Sequence, residues 1–366
     1  MKLRERISWL MGYVQKTLLP HLDECLDIPP AKHEQHLAAI LEIAEVEKYV
    51  IRRSAAQWLG RKLLTREAIA RAYAAKAFCR HPATRDLIRA LQSSVSLRLI
   101  CGFEALGDIP PEAAFSRAFK EFPESAPGER VHDALAQDYP AGEIIGHISR
   151  DSTAAVGREK PAEKTKKAKK PLKRGRPAKG EKREPAKTRL ARQTGQSAEE
   201  AIAGPSTVCG RGTKKNAKGY KTSWNGCKLH LDVNDAGLPV STLVASASVH
   251  DSRAAIPLMK MTSDKVICLY DLMDAGYDAE LIRNMGREPG HVPIIDRNGR
   301  GQDIPPMAPH EAERYKQRSA AERANARLKD NFGAADIRVK GHAKAAAHLM
   351  SGILTLFAGQ LIRLLA

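Results

Sequence analysis

Tyr315-Lys-Gln-Arg318-Ser-Ala-Ala-Glu322-Arg-Ala-Asn-Ala-Arg-Leu-Lys329 is the stretch on which the reading of this chain turns. It follows a Pro-rich loop at 305–309 and reads as part of one long helix from about 311 to 330. Tyr315, Arg318, Glu322 and Lys329 fall at offsets 0, 3, 7 and 14, which places them along one helical face. That face offers a ring, two cations and a carboxylate where a purely structural helix would more often carry an apolar stripe. Taken alone, Glu322 between arginines is an ordinary salt-bridge partner. Grouped with those cations, it is a carboxylate that could bind metal beside a phosphate.

Cleaving a phosphodiester requires a nucleophile, a stabilised leaving oxygen and relief of phosphate charge. Two Mg²⁺ ions roughly 3.5–4 Å apart can supply all three, and Mg²⁺ is held by a few carboxylates with phosphate and water completing its shell. The chain should therefore hold three acids on different elements. Asp151 closes the apolar run 143–151, read as a buried strand, with small Ser152 and Thr153 following where the backbone turns away. Asp274 lies four residues after Tyr270, and Gly276 permits a tight turn there. Asp271 competes as the second acid because it is closer to the apolar strand. Asp251, in Val249-His250-Asp251-Ser252, is a further acid read as structural or substrate-side. Each aspartate singly is an ordinary turn or cap residue.

Outward from these acids, the chain divides by pattern. Residues 1–135 read as a helical domain, with helical apolar spacing at 40–50 and 64–79. The segment 97–122, helix, Gly/Asp/Pro turn, helix, is compatible with a helix-turn-helix or an ordinary bundle corner. Strands are expected at 227–233 and 238–247, joined by Asn234-Asp235-Ala236-Gly237 as a hairpin, and again at 266–270 and 291–295. Strands before a helix, with one hairpin, give a mixed α/β core over 140–366.

The formal net charge of +18 points to a polyanionic partner. The excess is concentrated: residues 158–189 hold 15 Lys and Arg against 4 Asp and Glu, between two nearly balanced bodies. Rich in Lys, Pro and Ala, and without periodicity, 158–190 reads as a disordered basic linker inserted in the core. The six cysteines are scattered without a CxxC pair, which argues against a zinc site or disulfide framework and for free thiols in a reducing cytosol. The N-terminus has no apolar run long enough for a signal peptide. Ser351, Gln360 and Arg363 interrupt the apolar C-terminus, which reads as a buried helix and not a membrane span. A cytoplasmic, nucleoid-associated protein is the expectation.

The Tyr-x2-Arg-x3-Glu-x6-Lys spacing resembles the signature of DDE transposases of bacterial insertion sequences. The stretches HISRDSTAA, KLHLDVNDAGLPVSTLVASASVHDS and LYDLMDAGYD look like the same family, and residues 85–120 resemble the helical N-terminal region of its members, so the resemblance runs from about residue 80 to the C-terminus. It implies an RNase H-like fold with Asp151, Asp274 and Glu322 as the catalytic, metal-holding triad, Asp274 being preferred over Asp271 because Asp-Ala-Gly-Tyr-Asp follows the family's pattern. It also implies two Mg²⁺ ions, with Mn²⁺ able to substitute, and Tyr315, Arg318 and Lys329 on the terminal phosphates. The partner would be double-stranded DNA, inverted-repeat ends and target, bridged by a homodimer. Gly210 and Cys227 depart from the pattern, where relatives commonly have an acid and an aromatic. Two other readings share these residues: another RNase H-like metal nuclease, and a transposase-derived DNA-binding protein without catalysis.

Within the basic tract, Lys173-Arg174-Gly175-Arg176-Pro177 resembles an AT-hook, whose Arg-Gly-Arg core enters the narrow minor groove of A·T-rich DNA. If about six cations of the tract meet phosphates, log K for DNA falls with log salt at a slope of roughly −5. Equilibrium binding titrations across a salt series check that value.

Overall fold

The computed structural model describes residues 3–24, 26, 29–50, 66–139, 143–162, 188–215, 218–299, 301 and 303–365. The AT-hook-like residues Lys173, Arg174 and Arg176 lie outside them.

The N-terminal part is helical, as expected: α1 (Leu3–Tyr13), α2 (Leu19–Glu24), α3 (Lys32–Ala44), α4 (Arg66–Phe78), α5 (Thr84–Ser93), α6 (Val95–Ile100), α7 (Glu112–Ser125) and α8 (Pro127–Asp138). α6 and α7 are the pair expected around the Gly/Asp/Pro turn, and a 3₁₀ turn (Leu106–Asp108) lies between them. The inner face of α7 is spent on packing. Phe115, Phe119 and Phe122 surround Tyr73 of α4 at ring separations of 4.5–6.1 Å.

The core is one mixed sheet. Its strands are β1 (Ile144–Gly157), β2 (Gly210–Lys215), β3 (Lys221–Asn234), β4 (Pro239–Ser246), β5 (Ile267–Met273), β6 (Val292–Ile295) and β7 (Asp336–Ile337). β1 pairs antiparallel with β3 and parallel with β5; β3 pairs with β4, and β5 with β6. β2 and β4 follow one another along the edge of β3 opposite β1, since Gly226 pairs with both Gly210 and Val156. The five expected strands are present, β3 and β5 extending further than expected. The first is corrected: β1 does not end at Asp151 but continues to Gly157, because β3 offers partners as far as Gly226. β2, which is basic and without apolar alternation, gave no strand signal.

Two short helices, α9 (Arg189–Gln193) and α10 (Ala198–Ala203), precede β2. Thr188 caps α9 by accepting the Ala191 amide at 3.2 Å, so the last two residues assigned to the linker, 189 and 190, are helical. α11 (Ser252–Ser263) and α12 (Glu280–Arg287) complete the segments between the later strands. The late helix is three pieces where one was expected: α13 (Pro309–Tyr315), a 3₁₀ turn (Lys316–Arg318) and α14 (Ser319–Asn331).

The last helix, α15 (His342–Leu365), is apolar and long enough to cross a membrane, yet 67% of its most apolar window is buried. Leu349, Ile353 and Leu356 pack with Leu229, Leu231 and Val233 of β3 and with Ala320, Ala324 and Leu328 of α14. Leu354, Phe357 and Leu361 pack instead among the N-terminal helices. One helix therefore closes two apolar cores, and the sequence expectation of a buried C-terminal helix holds.

At the centre of the sheet, Arg150 on β1 stands opposite Asp232 on β3. Arg150 donates to both Asp232 oxygens, at 2.7 and 2.5 Å, with both residues at most 1% exposed. Thr262 of α11 donates to the same carboxylate at 2.6 Å. Removing one partner leaves an uncompensated buried charge. Arg150→Ala should cost about 3–5 kcal/mol of unfolding free energy, read from urea denaturation.

Candidate active site

The pleat that turns Arg150 toward α11 turns Asp151 the other way. Asp151 pairs with Leu231, whose side chain lies in the core beneath α14 and α15. There Asn325 of α14 donates to Asp151 Oδ2 at 2.9 Å. β5 runs parallel to β1 with Met273 opposite Arg150, so the next residue, Asp274, comes level with Asp151. Asp274 leaves the strand and opens a 3₁₀ turn, accepting the Gly276 amide at 2.9 Å. A Cβ on residue 276 would lie only 3.0 Å from Asp274 Oδ1, so the turn closes tightly against the carboxylate.

The two carboxylates are electrostatically coupled. Burial, then the charge of Asp274, pushes Asp151 up to about 6, against the Ser152 amide, Arg318 and Asn325. Burial also raises Asp274, helped by Asp251 and Asp296 and opposed by Gly276 and Arg318. Asp251 sits beside them. Burial works upward on it, but Lys228 and His230 hold its pKa below the usual range; Lys228 Nζ and Ser152 Oγ donate to its Oδ1 at 2.9 and 2.8 Å.

The signature residues gather over this pair. Arg318 influences both aspartates, lies 5.7 Å from the Tyr315 ring centre and is ion-paired with Glu322. The 3₁₀ turn at 316–318 brings Tyr315 and Arg318 nearly into eclipse. Burial raises Tyr315 to about 12, with Asp296, Asp274 and Glu322 adding to it and Arg318 opposing. Lys329 lies near enough to Asp151 to feel its charge, and burial together with Lys214 of β2 lowers its pKa. Glu322 is half exposed (53%), and its carboxylate engages Arg318. Asp151 and Asp274 are thus brought together, while Glu322 joins them through Arg318.

Asp271, the rival second acid, is 3% exposed on the other side of the sheet, 3.9 Å from Arg150 and 3.2 Å from His291 Nδ1. The structure couples Asp274, not Asp271, to Asp151. Sequence reading missed Asn325, although its place three residues after Glu322, on the same helical face, was the available signal. The two departures have a packing reason. A side chain at Gly210 would collide with Ser246 Oγ, and Cys227 is buried in the core beneath α14 and α15.

Residues 202–358 match the family model described as the transposase DDE domain. That similarity to a transposase DDE domain agrees with the family that the Tyr-Arg-Glu-Lys spacing resembles. Asp274, Tyr315, Arg318, Glu322 and Lys329 lie inside the matched residues, and Asp151 lies before them. Comparison with curated proteins and with solved structures found no match.

Because the Asp151 pKa is higher in the folded chain than in the unfolded one, the native state holds the proton more tightly. Its contribution to stability is complete below the unfolded value near 3.8 and is lost as pH rises through about 6. Asp151→Asn, in chelator, should therefore unfold at higher urea than wild type above pH 6. The gap should close toward pH 3.8, and a gap independent of pH would contradict the coupling.

Proposed function

We propose that this protein is a transposase that cuts and rejoins DNA at the ends of an insertion sequence. In this reading Asp151, Asp274 and Glu322 are the metal-holding acids of an RNase H-like core. The observation that carries it is the pair of Asp151 on β1 and Asp274 just past the end of the adjacent β5, both within reach of the charge of Arg318. Two carboxylates whose ionised forms are disfavoured by burial and like charge suit a hard divalent cation, and oxygen donors suit Mg²⁺, with Mn²⁺ able to replace it. Two such ions would relieve phosphate charge and stabilise the attacking and leaving oxygens.

The chain's own residues divide the remaining work. Asn325 fixes the orientation of Asp151. Arg318, presented by Tyr315 and Glu322, has the fork geometry for a phosphate; engaging one draws it from Glu322 and frees that carboxylate for metal. Lys329 and Lys214 are like charges whose repulsion a polyanion relieves. The partner is double-stranded DNA, at inverted-repeat ends and target, and a homodimer would hold two ends together. Lys173, Arg174 and Arg176 of the basic tract would add hold on the duplex.

With Mg²⁺ and DNA bearing the element's ends, wild type should nick at those ends. Asp151→Asn, Asp274→Asn and Glu322→Gln should each lose nicking while retaining DNA binding. Asn325→Ala should lose roughly 10–100-fold. Binding without cleavage by wild type would make the chain a DNA-binding descendant of a transposase. Nicking that survives Glu322→Gln would remove that residue from the acids.

A further inference from the structure

Away from the coupled aspartates, three ligating side chains converge where β5 meets β6. Cys268 and Asp271 stand on β5 and His291 immediately precedes β6; all are buried, with ligand atoms within 4.8 Å of one another. His291 Nδ1 is 3.2 Å from Cys268 Sγ and 3.2 Å from Asp271 Oδ2. A ring nitrogen carries either a proton or a lone pair. As an N–H it donates to the carboxylate and leaves the thiol only a weak share of the same proton, whereas a shared cation engages all three groups fully.

Charge and ladder point the same way. Asp232 and Asp271 share the single guanidinium of Arg150, at 2.5 and 3.9 Å, so Asp271 turns to the His291 side, 3.2 Å away, for charge balance that an imidazolium or a bound cation there can supply. The β5–β6 ladder is short, and Pro293, opposite Asp271, has no amide proton to give it.

We propose that Cys268, Asp271 and His291 form a site for a thiophilic divalent cation, Zn²⁺ foremost, distinct from the Mg²⁺ acids. Sulfur, nitrogen and oxygen donors together suit Zn²⁺ and not Mg²⁺. Asp271 and His291 also line a cavity of about 450 Å³ bounded by Lys260, Thr262 and Glu288, from which water can complete four-coordination. The bound ion ties β5 to β6 on the strand that delivers Asp274.

Full-length protein, stripped with EDTA and titrated with Zn²⁺ against a chromophoric chelator, should take up one equivalent tightly. Co²⁺ in its place should give a thiolate-to-metal charge-transfer band. Cys268→Ser and His291→Ala should lose this uptake, while Asp151→Asn and Glu322→Gln keep it. Zn²⁺ should raise the Tm of wild type but not of Cys268→Ser, whose metal-free Tm should match wild type. Absence of tight uptake by wild type, or uptake retained in both ligand variants, overturns the site. Should His291→Ala fail to fold, the Co²⁺ band and its loss in Cys268→Ser decide. These readouts do not involve DNA cleavage, so they stand or fall independently of the transposase reading.

Discussion

The buried pair of Arg150 and Asp232 constrains everything around it. A guanidinium at the centre of a sheet is tolerable only opposite its carboxylate, and that requirement forbids any slip between β1 and β3. With the register fixed, pleat alternation sends Asp151 to the face covered by α14. Moving β1 by one residue would bury Asp151 beneath α11 and turn Arg150 to the face beneath α14. The acid's position is thus a consequence of a neighbouring residue's burial.

α14 answers from the other side. Its Ala and Leu positions bind it to β3 and α15, leaving Asn325 and Lys329 near Asp151 and Glu322 toward solvent. The 3₁₀ turn before it compacts Tyr315 and Arg318 into one unit. The candidate site and the core therefore share a helix without competing for the same side chains. Small alanines let the helix approach closely, and long polar side chains reach over the strand ends.

Much of this was legible in the chain. The four main strands, the hairpin, the helical N-terminal part and the buried last helix followed from apolar periodicity. Asp274 and the Tyr-Arg-Glu-Lys stretch followed from spacing. What periodicity could not reveal was the length of β1, because Ser152, Thr153 and the alanines after them carry little apolar signal and are strand only through pairing with β3. The convergence of Cys268, Asp271 and His291 was equally invisible: metal sites announce themselves by close cysteine spacing, and here the side chains come from β5 and the residue before β6, brought together by the sheet.

The sequence by itself determined which residue types are present at family spacing, and hence the transposase reading, because spacing along one helix is a local property. It also placed the basic tract after Asp151 and ahead of the hairpin. Only the tertiary structure decided which face each acid occupies, that Asp274 and not Asp271 stands beside Asp151, and that Glu322 rests on Arg318. Those outcomes depend on strand partners and on the burial of charge, and neither is written in the order of the residues.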